Sequence, residues 1–489
     1  MSTSHLPPLA APLPGTAGLG LPRGSAPVAA RSVALPVENP ANDPINIWLI
    51  LPACGYLALS LFAFAPSIWV RMILACLLIL RMKPDIIIPY CLCCMQLKLM
   101  FAWRGDGLIE VGDTAPVLTG FESYSFAVPT LLISVRAAVA AASSRVDRRG
   151  FPWWLYGLWL LVAIPVIVGA FVNMGGGRGW TGGMRMYSIV GGIFYGLLLP
   201  RMSPRQTDRL ATGLAVVAAV YGAVGLVTKF GSKVGFILGP IGTSWAMAGL
   251  LPPTAPVAAL AMLALTGYMS LFRGTKMVFM TWLWCVLAGM IEALMRADWR
   301  RPRRMLALYV VATAIACASL FSVAITRQVN EKQQFDTGFW GQLEMKLLAD
   351  RGPIWWGGLC IVVDEPSLFP TPERPFMISW FGVEQLWPNG PHNLVLELLN
   401  QLGTVAGPMC VLVLAYVVWS CVRALARDRG RGVRTLATAA ICSILVGGLT
   451  LPYVVGDRLG EITLFTAGAA LASSWAAQEA ARRQAGGRA

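Results

Sequence analysis

One imidazole and a few guanidinium groups at the edges of apolar runs are the side chains best suited to chemistry. The stretch PNGPHNLVLELLNQLGTVAG, residues 388–407, sets His392 directly ahead of a long apolar helix. The chain has only 2 histidines, and the other, His5, lies in a Pro/Ala/Gly-rich tail. Imidazole titrates near ~6.5, so it can accept or donate a proton at neutral pH. In SLFRGTK, residues 270–276, Arg273 and Gly274 close one apolar run and Lys276 opens the next. In DRGPIWWGG, residues 350–358, Arg351 is followed by Trp355 and Trp356. A guanidinium stays protonated and grips phosphate oxygens bidentately. On a helix running from His392, Leu396, Leu399 and Gly403 share the histidine's side. Glu397 is rotated about 140° from it. Asn393 and Asn389 are the nearer candidates for hydrogen bonds to the ring.

These residues need a scaffold, and composition says which kind. Of 489 residues, 56% are hydrophobic and 13% charged. That charge content is about half the norm for a globular protein. Apolar runs near the ~20 residues needed to cross a hydrocarbon core recur throughout. They lie near 47–65, 67–80, 84–103, 125–142, 153–173, 184–199, 210–228, 234–250, 255–272, 277–295, 305–325, 404–426, 435–452 and 459–476. The fold class expected is an all-α polytopic membrane protein with about 12–14 transmembrane helices. No internal repeat or strand-period barrel pattern is present.

Charge placement orients the spans. RVDRRG (145–150), RMSPRQTDR (201–209), RADWRRPRR (296–304), RDRGRGVR (427–434) and the tail RRQAGGR carry clustered arginine. Placed in the cytoplasm, they let the spans alternate without violation. Both termini are then cytoplasmic. Segments near 173–185, 229–233, 273–276 and 326–392 fall outside. The net charge of +15 is thus spread over short loops and does not form the single basic face that nucleic acid requires. The domains expected are a disordered tail (1–45), a helix bundle (46–325), a large periplasmic loop forming a lid (326–392), C-terminal helices (393–478) and a basic tail (479–489).

The 326–392 loop is the one large hydrophilic insertion, and loops of that length usually carry function. Residues 338–350 read as helical and 364–375 as turns. Its acidic residues invite a carboxylate-pair hydrolase, but such an enzyme has no need of so many spans. GGGRG (175–179) lacks the strand–turn–helix setting of a phosphate loop. Arg178 and Arg185 remain possible phosphate contacts from that outer segment. The 11 cysteines lie mostly inside apolar runs without histidine neighbours, which suits packed thiols better than metal ligands. No metal and no cofactor are expected.

In order along the chain, Arg273–Gly274, Arg351 with Trp355, and His392–Asn393 followed by the Gly403/Gly407 spacing resemble motifs of a known family. This is the O-antigen ligase and Wzy-type polymerase superfamily of bacterial envelope polysaccharide glycosyltransferases. The resemblance is best over roughly 180–452. It implies a glycan donor carried on undecaprenyl pyrophosphate and a periplasmic active site in the inner membrane. The transfer implied is inverting and metal-independent. The acceptor is either a second lipid-linked repeat, for a polymerase of exopolysaccharide or O-antigen, or lipid A core, for a ligase. The bilayer and a chain-length regulator are further partners it implies. It assigns catalysis to His392, Arg273 and Arg351. Lys276, Arg185, Arg178, Asn393, Trp355 and Trp356 are then expected to bind substrate. A lipid-linked sugar flippase would instead need charges deep in the spans. There, only Arg71 and Arg136 lie well inside, with Glu292 near an end.

Overall fold

The computed structural model describes residues 101–104, 107–110, 204–227, 232–250, 255–270, 276–296, 352–368, 376–380, 383–387, 391, 393–428 and 430–448, with isolated positions elsewhere. They are mostly helical. The elements are β1 (Phe101–Arg104), β2 (Gly107–Glu110), α1 (Pro204–Val227), α2 (Ser232–Leu250), α3 (Pro256–Tyr268) and α4 (Lys276–Arg296). After these come α5 (Gly352–Asp364), β3 (Phe376–Trp380), β4 (Val383–Trp387), α6 (Leu394–Arg427), α7 (Arg431–Cys442) and a π-helical turn, Ser443–Gly447.

Local sequence explains where several helices start. Pro204 and Pro256 begin α1 and α3, where a missing N–H costs nothing and the fixed φ suits the helix. Asn393 caps α6, its side-chain oxygen accepting from the backbone of Val395 and Leu396. Before α7, Asp428 Oδ1 accepts from Gly430 N at 2.8 Å and turns the chain.

Helix α2 is the hub, packed against α1, α3, α4 and α7. Its partners are joined by hydroxyl and indole groups as well as apolar contact. Thr266 Oγ1 donates to Met262 O at 2.9 Å. It also accepts from Trp282 Nε1 at 3.2 Å and lies 3.2 Å from Thr243 Oγ1. These four residues tie α2, α3 and α4 where an apolar surround strengthens each bond.

The contacts sort the helix ends into two sets. One set holds the start of α1, the ends of α2 and α4 and the start of α7. Trp245 Nε1 donates to Thr212 Oγ1, Arg434 pairs with Glu292, and Gly432 N donates to Asp208 Oδ1. The opposite set holds the end of α3, the start of α4 and the turn after α7. The α4–α7 register shows this. Arg434 meets Glu292, and eight residues along α7 Cys442 lies beside Cys285, seven residues back along α4. That antiparallel register runs from the end of α4 back toward its start, and the π-helical turn after α7 packs on α4 as well.

Among the described residues, Leu402–Arg427 is long and apolar enough to cross a membrane, and α3, Val278–Ala293 and α5 are apolar but shorter. The all-helical expectation meets two departures. Strands β1 and β2 form an antiparallel hairpin where the span near 84–103 was expected to end, and β3 and β4 form another inside the 326–392 loop. The helix expected at 338–350 lies outside the described residues; just past it, α5 is apolar throughout until Asp364. A segment with that much valine, isoleucine and tryptophan buries one face.

Candidate functional site

Arg273, Arg351, His392, Arg178 and Arg185 lie outside the described residues. Lys276 is described as the first residue of α4. What the structure supplies is the framework that flanks three of the motifs.

The segment after His392 is built around a sharp turn. Within α6, Gly403 has φ 79° and ψ −178°, so α6 is two helices, 394–402 and 404–427. This backbone region is essentially closed to residues with a Cβ. Four residues on, a Cβ at Gly407 would sit 2.8 Å from Leu398 O and 2.9 Å from the Leu399 Cα. Nine residues of straight helix would separate such atoms by about 13 Å. The short helix therefore folds back on the start of the long one. The Gly403/Gly407 spacing has a physical reason: one glycine makes the turn and the other admits the returning backbone. The expectation that Gly403 continues the face of Leu396 and Leu399 is corrected, because the helix ends there. Thr404 N, at the new helix start, donates to Ser367 O at 2.7 Å.

The short helix buries Leu394, Leu398 and Leu402 on one side. Asn393, Glu397 and Asn400, at i, i+4 and i+7, share another side, and Glu397 and Asn400 are buried too. A buried carboxylate in the first turn is favoured by the helix dipole. Sequence periodicity had set Glu397 aside because it faces away from His392; only packing reveals that this polar face is enclosed. Asn393 uses its amide oxygen for the cap, with bonds of 3.0 and 3.3 Å, leaving its NH2 as the group available to other partners.

Helix α5 braces this region. Gly358 lies against Pro391, the residue before His392, and Gly357 lies against Phe376 and the Met377 carbonyl of β3. Ile354, Phe376 and Ile378 form the core between helix and hairpin, with Ile361 and Trp387 packed on it. Trp355 and Trp356 point in different directions, as neighbours about 100° apart on a helix must. Trp355 is half-buried, and its buried indole N–H has no hydrogen-bond partner among the described residues. Trp356 is 68% exposed. The two rings do not form one platform.

Leu394 N donates to Gly448 O at 2.6 Å, and the π-helical turn before Gly448 packs on α4. The described neighbours of the three motifs are thus linked by packing. Lys276 begins α4, α4 carries the π turn, Gly448 holds Leu394, and Pro391 leans on the helix that follows Arg351.

Among the described residues, the tightest charge cluster is at the opposite end. Arg434 Nε meets Glu292 Oε1 at 2.6 Å with side chains only 5% and 11% exposed. Arg431 lies 4.2 Å over the Trp245 ring. Burial pulls the Arg431 guanidinium below its ordinary pKa, Asp208 opposes that shift and Arg434 adds to it. These groups join α1, α2, α4 and α7, and no motif of the candidate site is among them. No family model matches this chain, and no curated protein does.

Proposed function

We propose that this chain is a polytopic glycosyltransferase of a bacterial inner membrane. It polymerises oligosaccharide repeats carried on undecaprenyl pyrophosphate at the periplasmic face. The observation that carries the reading is the ordered set Arg273–Gly274, Arg351 with Trp355, and His392–Asn393. Two further observations support it. The described neighbours of these motifs share one packed end, and Arg431 and Arg434 lie at the other, as a periplasmic site over a positively charged cytoplasmic side requires.

In this reading Arg273 and Arg351 bind the pyrophosphate and stabilise the charge it gains as its bond to the sugar breaks. His392 takes the proton from the acceptor hydroxyl as the new glycosidic bond forms with inversion. The carrier pyrophosphate is the leaving group. Lys276, Arg178 and Arg185 add cations to the same face. Asn393 and Trp355 each offer an N–H donor beside the reacting groups.

A ligase acting on lipid A core would use the same groups. The exposed charges described in 352–387 are Asp364, Glu365 and Glu384. An anionic core acceptor is poorly served by that surface, which favours the polymerase.

A deletion strain analysed by gel separates the two. Loss of a polymerase leaves single repeats, and loss of a ligase leaves long chains on the lipid carrier. In vitro, His392→Ala should keep carrier binding and lower turnover by about 10²–10⁴-fold. Arg273→Ala and Arg351→Ala should weaken carrier binding. Wild-type turnover in His392→Ala refutes the assignment.

A further inference from the structure

Helix α5 and the β3–β4 hairpin are two-faced in a way that water does not explain. The inner face of α5 is covered by the hairpin and Pro391. The other side presents Trp356, Leu359 and Val363, at i, i+3 and i+7, all exposed. The hairpin repeats the pattern. Phe376 and Ile378 point in, while the cross-strand pair Met377 and Leu386 points out, Leu386 at 57% exposure. Toward the tip, the next outward pair is Ser379 and Glu384, both exposed and polar. The outward surface therefore runs from apolar, next to α5, to polar at the hairpin tip.

Length limits what α5 can be. Its 13 residues extend about 20 Å, well short of the ~30 Å hydrocarbon core. Over its described residues α5 is too short to span by itself, and its exposed face is too apolar to face water. The neighbouring surface tells what covers it. Ser367, just past α5, is bonded to Thr404 at the head of the candidate span. From there Val405, Leu412 and Trp419 form an exposed apolar stripe with seven-residue spacing. The end of α5 is thus tied to the head of the helix that carries the stripe by which the span would meet lipid.

We propose that α5 and the hairpin are seated in the outer leaflet at the boundary of headgroups and acyl chains, with Trp356, Leu359, Val363, Met377 and Leu386 against lipid and Glu384 in water. Interfacial elements with this division of faces bury their apolar side about 5–10 Å into that boundary. The region expected to form a periplasmic lid is then a membrane-seated platform. It brings the helix that follows Arg351 to the depth of a polyprenyl pyrophosphate headgroup. This inference rests on the transmembrane reading of Leu402–Arg427 and not on the assigned chemistry.

The test uses the full chain in phosphatidylcholine–phosphatidylglycerol vesicles. An environment-sensitive fluorescent amino acid replaces Trp356, Leu386, Glu384 or Leu412 in turn. Lipids with a doxyl group near the headgroup should remove about half of the emission at positions 356 and 386, the depth of an interfacial helix. Aqueous iodide should quench position 384 and spare 356 and 386. A label deeper in the acyl chain should quench position 412. Iodide quenching at 356 and 386 equal to that at 384, with 412 still quenched by lipid, overturns the seating and leaves the membrane reading standing. Iodide quenching at 412 overturns both. Polysaccharide synthesis by wild-type vesicles, assayed separately, reports on the chemistry alone.

Discussion

Gly407→Ala is the sharpest probe of how the His392 segment is held. The new Cβ would lie 2.8 Å from Leu398 O, 2.9 Å from the Leu399 Cα and 3.2 Å from the Leu398 carbonyl carbon. All three are backbone atoms, so no side chain can rotate aside. Relief requires moving the whole 394–402 helix by several tenths of an ångström. Overpacking of this kind typically costs about 1–3 kcal/mol. The displaced helix is capped by Asn393 and anchored through Leu394 to Gly448, so the shift reaches the residues on either side of His392. A misplacement of ~1 Å at a reacting group can lower the rate by about 10²-fold. We expect Gly407→Ala to lose stability in that range and to lose turnover more than carrier affinity. Gly403→Ala alone, forced into a region closed to alanine, should cost ~1–3 kcal/mol. The two share one hinge, so their effects should not add. The assays are equilibrium unfolding in detergent micelles and turnover against carrier binding in vesicles. If both variants unfold within about 0.5 kcal/mol of wild type, the sharp turn is wrong. If stability falls while turnover holds, the turn exists but does not position the chemistry.

Glu292→Gln leaves the Arg434 charge in a buried setting and should destabilise by about 3–5 kcal/mol, and Glu292→Gln combined with Arg434→Met should recover part of it in a double-mutant unfolding cycle. Trp245→Leu removes the ring beneath Arg431 and should cost about 1–2 kcal/mol of unfolding stability, while Trp245→Phe should cost less. Asn393→Ala should lose about 1 kcal/mol with the cap; Asn393→Asp restores the cap but not the NH2, so turnover that stays low in Asn393→Asp assigns the amide nitrogen to substrate.

The apolar runs near 210–228, 234–250, 255–272, 277–295, 404–426 and 435–452 coincide with α1, α2, α3, α4, the long part of α6, and α7 with its π turn. These were legible because a helix closes its own backbone hydrogen bonds, and its apolar run announces it locally. Of the candidate site, the sequence alone supplied residue types and order: a lone histidine, arginines at helix edges and a glycine pair. It could not say that Gly403 breaks the helix or that Gly407 faces returning backbone, since that depends on how far the chain turns. Nor could it find the β3–β4 hairpin, whose strands are held by cross-strand partners and a helix face rather than by their own pattern. The arginines near 427–434 read as markers of topology. Tertiary structure gave Arg434 a carboxylate 142 residues away and Arg431 a carbonyl partner 186 residues away, on the same tryptophan whose ring lies beneath it. Local forces write periodicity into a sequence, but a buried charge finds its counter-charge only after the helices have packed.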